Sequence, residues 1–77
     1  MKKFDIEKNV SKNAYEFLKK NFDIRHQDDG GCVLTEVSMP SIEFIFIFPS
    51  GKIKVNIKNK VVVDFDSLQD AVDFIMI

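Results

Sequence analysis

The chain has 77 residues, 45% of them apolar and 30% charged, which is the balance of one globular domain spanning 1–77 and excludes a disordered polymer. A net charge of −1 speaks against the long-range attraction of a basic nucleic-acid binder. A single cysteine excludes an internal disulfide framework, and the longest apolar run, Phe44 to Pro49, falls far short of the roughly 20 residues that cross a bilayer. The opening Met1-Lys2-Lys3-Phe4-Asp5 lacks the apolar core of a secretory signal. These features predict a soluble, cytoplasmic protein with no membrane contact.

Residues 5–21 read as one helix. Ile6, Val10, Ala14, Phe17 and Leu18 share a face, and Asp5 is placed to cap it. Phe22 to Gln27 reads as a short strand, followed by an Asp28-Asp29-Gly30-Gly31 turn that pairs Gln27 with Cys32. Cys32 to Val37 forms the next strand, and Ser38-Met39-Pro40-Ser41 breaks the run. Ile42 to Phe48 is apolar on both faces from Phe44 onward, as a central strand should be. With the intervening loop of four residues, Leu34 pairs with Ile45 and Cys32 with Ile47.

Two registers are open for the next hairpin. A two-residue turn at Ser50-Gly51 pairs Phe48 with Ile53, Phe46 with Val55 and Phe44 with Ile57, and sets Glu43 beside Lys58. A three-residue Pro49-Ser50-Gly51 loop sets Phe48 against Lys52 and Phe46 against Lys54 instead. We expect the first, because it gathers the apolar residues on one face. The following loop, Lys58-Asn59-Lys60, pairs Ile57 with Val61, Val55 with Val63, Ile53 with Phe65 and Lys54 with Asp64. A final helix begins after a cap at Asp66 or Ser67, with Gln69 or Asp70 in capping-box position, and turns Leu68, Ala71, Val72 and Ile75 inward. The expected fold class is α+β: an N-terminal helix, an antiparallel meander of four strands (five with Phe22 to Gln27), and a C-terminal helix. Both helices are expected on the Phe-rich face.

Candidates for chemistry are few. His26 and Cys32 fall close together in the first hairpin, but a nucleophilic pair also needs a group to orient the base. Asp28 and Asp29 read as turn residues, and two adjacent acids do not converge on one ion. Asp64, Asp66, Asp70 and Asp73 read as solvated or capping. No phosphate-binding glycine motif is present. No catalytic, cofactor or metal residues are therefore assigned, and the chain is read as a non-enzyme. The α-β-β-β-α order resembles that of double-stranded RNA-binding domains in topology. Where those domains place lysines, at the start of the last helix, this chain carries Asp66-Ser67-Leu68-Gln69-Asp70. The rejected register would also build an aromatic and basic platform from Phe44, Phe46 and Phe48 beside Lys52, Lys54 and Lys58.

The expected registers leave Cys32, Leu34, Ile45, Ile47 and Val62 on the face away from the helices. An apolar strip there, with Glu36, Glu43, Lys54 and Asp64 at its rim, predicts a protein contact. The candidate contact residues are Leu34, Ile45, Ile47 and Val62, with Glu43 and Lys54 setting register. The expected function is a small interaction module of the inhibitor, immunity or phage and mobile-element accessory type. It binds another protein or a second copy of itself. The alternative is a nucleic-acid-binding or regulatory module using Lys2, Lys3, Lys8, Lys12, Lys19 and Lys20.

Overall fold

The computed structural model describes residues 3–59 and 61–76. Five antiparallel strands form one meander sheet in the order β1-β2-β3-β4-β5: Phe22–His26, Cys32–Glu36, Ile42–Ile47, Ile53–Ile57 and Val61–Phe65. Helices α1 (Ile6–Asn9), α2 (Lys12–Asn21) and α3 (Leu68–Ile75) complete the α+β architecture. α2 and α3 touch each other, and α3 lies against β4 and β5.

The N-terminal helix is divided in two. Asp5 caps α1 by accepting the Lys8 N–H at 3.3 Å, as expected. Val10 is then extended, and Ser11 starts a second helix by accepting the Ala14 N–H at 3.2 Å. The Ser11 N–H in turn donates to Gln69 Oε1 at 2.7 Å, so α3 holds the break in place. A serine in mid-helix is always able to serve as a cap instead, and here a tertiary bond rewards that choice. The last helix is capped by Ser67, whose hydroxyl accepts the Asp70 N–H at 3.2 Å. Gln69 does not close a capping box, because its amide is committed to Ser11 and to Asp73.

The β2–β3 and β4–β5 registers are those read from the sequence, including Leu34 opposite Ile45, Cys32 opposite Ile47, and Lys54 opposite Asp64. Lys60, within the expected β4–β5 loop, lies outside the described residues. The β1–β2 pairing differs by one residue: His26, not Gln27, faces Cys32. The Gln27 carbonyl accepts the Gly30 N–H at 3.1 Å, the Gln27 N–H donates to the Gly31 carbonyl at 2.8 Å, and Gly30 sits at φ 97°. That is a three-residue loop closed by a glycine bulge.

The β3–β4 register is the one rejected above. The Gly51 N–H donates to the Phe48 carbonyl and the Phe48 N–H to the Lys52 carbonyl, each at 2.9 Å, with Gly51 at φ 93°. Pro49-Ser50-Gly51 is thus the same three-residue loop, with proline where φ is preset and glycine where φ must be positive. Ile47 faces Ile53, Ile45 faces Val55, and Phe46 faces Lys54. Further along, the ladder steps from Phe44–Asn56 to Ile42–Ile57, so Glu43 is the extra residue of a bulge. The bulge lets Ile42 and Ile45 both point inward while Phe44 points out.

The one-residue slip reverses the faces of β2 and β3 relative to expectation and leaves those of β4 and β5 as expected. Leu34, Ile45, Ile47 and Cys32 are at most 2% exposed and form the core with Ile53, Val55, Ile6, Ala14, Leu18, Leu68, Ala71 and Val72. The helices cover the aliphatic face. Of Phe44, Phe46 and Phe48, none belongs to the core cluster.

Candidate interaction surface

Strict alternation along the strands assigns the uncovered face to Asp23 and Arg25 of β1, Val33 and Thr35 of β2, Phe44 and Phe46 of β3, Lys54 and Asn56 of β4, and Val62 and Asp64 of β5. Phe44 and Phe46 stand edge to face at its centre, with centroids 4.9 Å apart and planes 60° apart. Both rings are half-buried, as is Val33 beside them. Rings that are neither core nor fully solvated form an apolar centre ready to be covered further.

The rim carries charge in compensating pairs. Arg25 Nε lies 3.1 Å from Asp23 Oδ2, and Lys54 Nζ lies 3.2 Å from Asp64 Oδ1. Each pair is exposed and worth at most about 1 kcal/mol to the fold. Their larger effect is to leave the face without a dominant sign. Beyond Phe48, a cleft of about 610 Å³ runs between the β3–β4 loop and the end of β5. Its walls include Phe48, Pro49 and Phe65, with Lys52 and Lys54 opposed to Asp64 and Asp66.

The predicted contact residues separate in this structure. Val62 (51% exposed), Glu43 and Lys54 are at the surface, and Val62 and Lys54 share the outer face. Leu34, Ile45 and Ile47 are sealed beneath the helices and are withdrawn as contact residues. The physical cause is the loop: a glycine bulge at Gly51 shifts β4 by one residue and exchanges the two faces of β3. Phe44, Phe46 and Val33 are the surface residues that the sequence reading missed. The signal that could have found them was the Pro-Ser-Gly triplet, whose turn chemistry specifies a three-residue loop.

The remaining candidates have structural partners. Cys32 Sγ lies 3.3 Å from His26 Nδ1. Burial, and secondarily the charge of Asp29, pushes the Cys32 thiol up from its ordinary value, opposite to the shift that activates a nucleophile. Asp29 Oδ1 accepts the Gly31 N–H at 2.9 Å and so serves the turn. Among the described residues, no three His, Cys, Asp or Glu side chains gather where they could hold a metal ion. Of the N-terminal lysines, Lys2 lies outside the described residues. Lys3, Lys8, Lys12 and Lys20 are exposed, and Lys19 is engaged by Glu16 at 3.7 Å and stands 4.8 Å from the centre of the Tyr15 ring. Among the described residues, no helix is long and apolar enough to cross a membrane. No protein-family model, curated protein or solved structure matches this chain.

Proposed function

We propose that this protein is a non-enzymatic interaction module that binds another protein through the outer face of its sheet. The observation that carries the reading is the Phe44–Phe46 pair, an aromatic centre on the helix-free side of the central strand. Two further features support it. The rim ion pairs balance each other, as at a protein interface and unlike a phosphate-binding surface. The cleft beside Phe48 has apolar walls and opposed charges, which suits one aliphatic or aromatic side chain of the partner as an anchor. A chain that acts by occupying a partner's surface fits the inhibitor, immunity or mobile-element accessory class. Its one cysteine, unbridged, suits a reducing cytoplasmic setting.

The test is a complex reconstituted from the purified protein and a partner identified from the source cells. Phe46→Ser is expected to weaken it at least tenfold, by loss of a central anchor, while the far-ultraviolet circular dichroism stays unchanged. A reconstituted complex whose affinity is the same with Phe44→Ser/Phe46→Ser would overturn the proposal.

One observation favours a second reading. The observed register does set Phe46 beside Lys54 and Phe48 beside Lys52, the aromatic and basic pattern on which single strands stack. The Lys54–Asp64 pair and the acids of α3 weigh against it. Fluorescence anisotropy with a labelled oligothymidylate separates the two readings. Binding that weakens steeply with salt and is lost in Phe46→Ser would replace the protein partner with a nucleic acid.

A further inference from the structure

The sheet is open, and its two edges are unlike. The Phe48–Lys52 pair is hydrogen-bonded, and bonded and non-bonded pairs alternate along an antiparallel ladder. Lys52 and Lys54 therefore turn their backbone groups toward β3, and Ile53, Val55 and Ile57 turn theirs toward β5. Carried across the β4–β5 register, this bonds Val61, Val63 and Phe65 to β4. Val62 and Asp64 are left with N–H and C=O directed at the open edge. By the same count, from Gln27–Gly31 at one end and Asn21–Val37 at the other, Phe22, Ile24 and His26 face outward from β1.

The β1 edge is guarded. Two charged side chains, Asp23 and Arg25, stand on it as a mutual ion pair, and the N-terminal segment runs nearby, with the Phe4 N–H donating to the Gly30 carbonyl at 2.8 Å. The β5 edge reads Val61-Val62-Val63-Asp64-Phe65 and has no proline and a single charge, which Lys54 already neutralises. Val61 and Val62 are each 51% exposed, and Phe74, 41% exposed, continues the margin with its ring 5.2 Å from that of Phe65. Among the described residues, three of the six exposed large apolar side chains thus lie on this strand or against it. Natural edge strands are normally protected by charge, proline or cover, and a bare apolar one is a template for another strand.

We propose that β5 is the seam of a homodimer, in which two copies join β5 to β5 antiparallel across a two-fold axis through Val63. The occupant is a second copy because the strand is complementary to itself. About that axis Val63 meets its own counterpart and Val61 meets Phe65 of the other chain, so the helix side of the seam is apolar along the whole strand. Val62 and Asp64 exchange backbone hydrogen bonds with Asp64 and Val62 of the copy, which satisfies the groups left open at the edge. Each Asp64 enters with its own Lys54, so the seam joins no unbalanced like charges. The seam does not rest on the outer-face reading: Phe44 and Phe46 lie two strands away and stay free in the dimer.

Sedimentation velocity at high micromolar concentration should give twice the mass of the chain. Val62→Pro removes an N–H that points at the edge, and Val62→Lys places a charge on it. Both variants are expected to sediment as folded monomers, and if the proline variant does not fold, the lysine variant decides. Amide exchange gives a separate readout: Val62 and Asp64 should be protected in the wild-type dimer and exchange rapidly in Val62→Lys, with Val61 and Val63 protected in both. Phe46→Ser should remain dimeric, which keeps failure of the seam distinct from failure of the outer-face proposal. A wild-type monomer at these concentrations, or a dimer that Val62→Lys leaves intact while Phe46→Ser dissociates it, overturns the seam.

Discussion

Gly31 has no room for a side chain: a Cβ there would collide with the backbone carbonyl of Ile47. Gly31→Ala must push β2 and β3 apart at the edge of the core, and it is expected to cost at least about 2 kcal/mol in a urea titration. Ile45 and Phe46 are neighbours with opposite roles. Ile45 is fully buried, so Ile45→Ala should lose about 2–5 kcal/mol and Ile45→Asp should abolish the cooperative unfolding transition. Phe46→Ser should cost much less, because its ring is only half-buried outside the core. Cys32 supplies a pH test. Its thiol value is raised in the folded state, so the native protein holds its proton more tightly than the unfolded chain. That contribution is complete below the ordinary thiol value and is lost as pH rises through the folded one, so stability should decline on the alkaline side. Alkylation of native Cys32 near pH 8 should be slow and should accelerate in denaturant. At this scale the sequence showed which residues were large and apolar. It did not show which of two adjacent apolar residues faced inward.

Elements were legible where independent cues agreed. The β4–β5 register was readable because apolar pairs and the Lys54–Asp64 charge pair specify the same alignment. The β3–β4 register was not, because Phe46 opposite Val55 and Ile45 opposite Val55 are both apolar matches and pairing alone cannot separate them. Turn chemistry separates them, through proline and glycine at the first and third loop positions. Gly51→Ala forces a side chain into φ 93°, and we expect a loss of about 1–3 kcal/mol, read from the shift in the denaturation midpoint. The bulge at Glu43 had no sequence signal, since no glycine or proline marks it. The break in the first helix had a weak one in Ser11, but the Gln69 carboxamide that stabilises it is 58 residues away in the chain. Ser67→Ala, by contrast, removes a local cap that the sequence displayed, and about 1 kcal/mol should go with it.

On the scale of the whole molecule, the slip of one residue exchanged the residues that β2 and β3 contribute to the helix-free face, while those of β4 and β5 stayed in place. Of the apolar strip expected on the uncovered face, Val62 remains there, among polar neighbours. The uncovered face carries Phe44 and Phe46 in place of Leu34, Ile45 and Ile47. Such a face and a bare β5 edge give the molecule two separable surfaces, one aromatic and one made of backbone. Combining Phe46→Ser with Val62→Lys should therefore yield a monomer without partner affinity, read by sedimentation velocity for the seam and by titration with the partner for the face.

From the sequence alone came the class of fold, the order of the strands and the last helix, two of the strand registers and the caps at Asp5 and Ser67. Each of these rests on interactions between residues close in the chain, or on a pairing pattern with more than one cue. Which face of the sheet the helices cover was decided only in three dimensions. β3 is apolar on both sides, so either face could have closed the core, and the choice fell to the φ of one loop glycine and to the fit of aliphatic side chains from three strands and three helices.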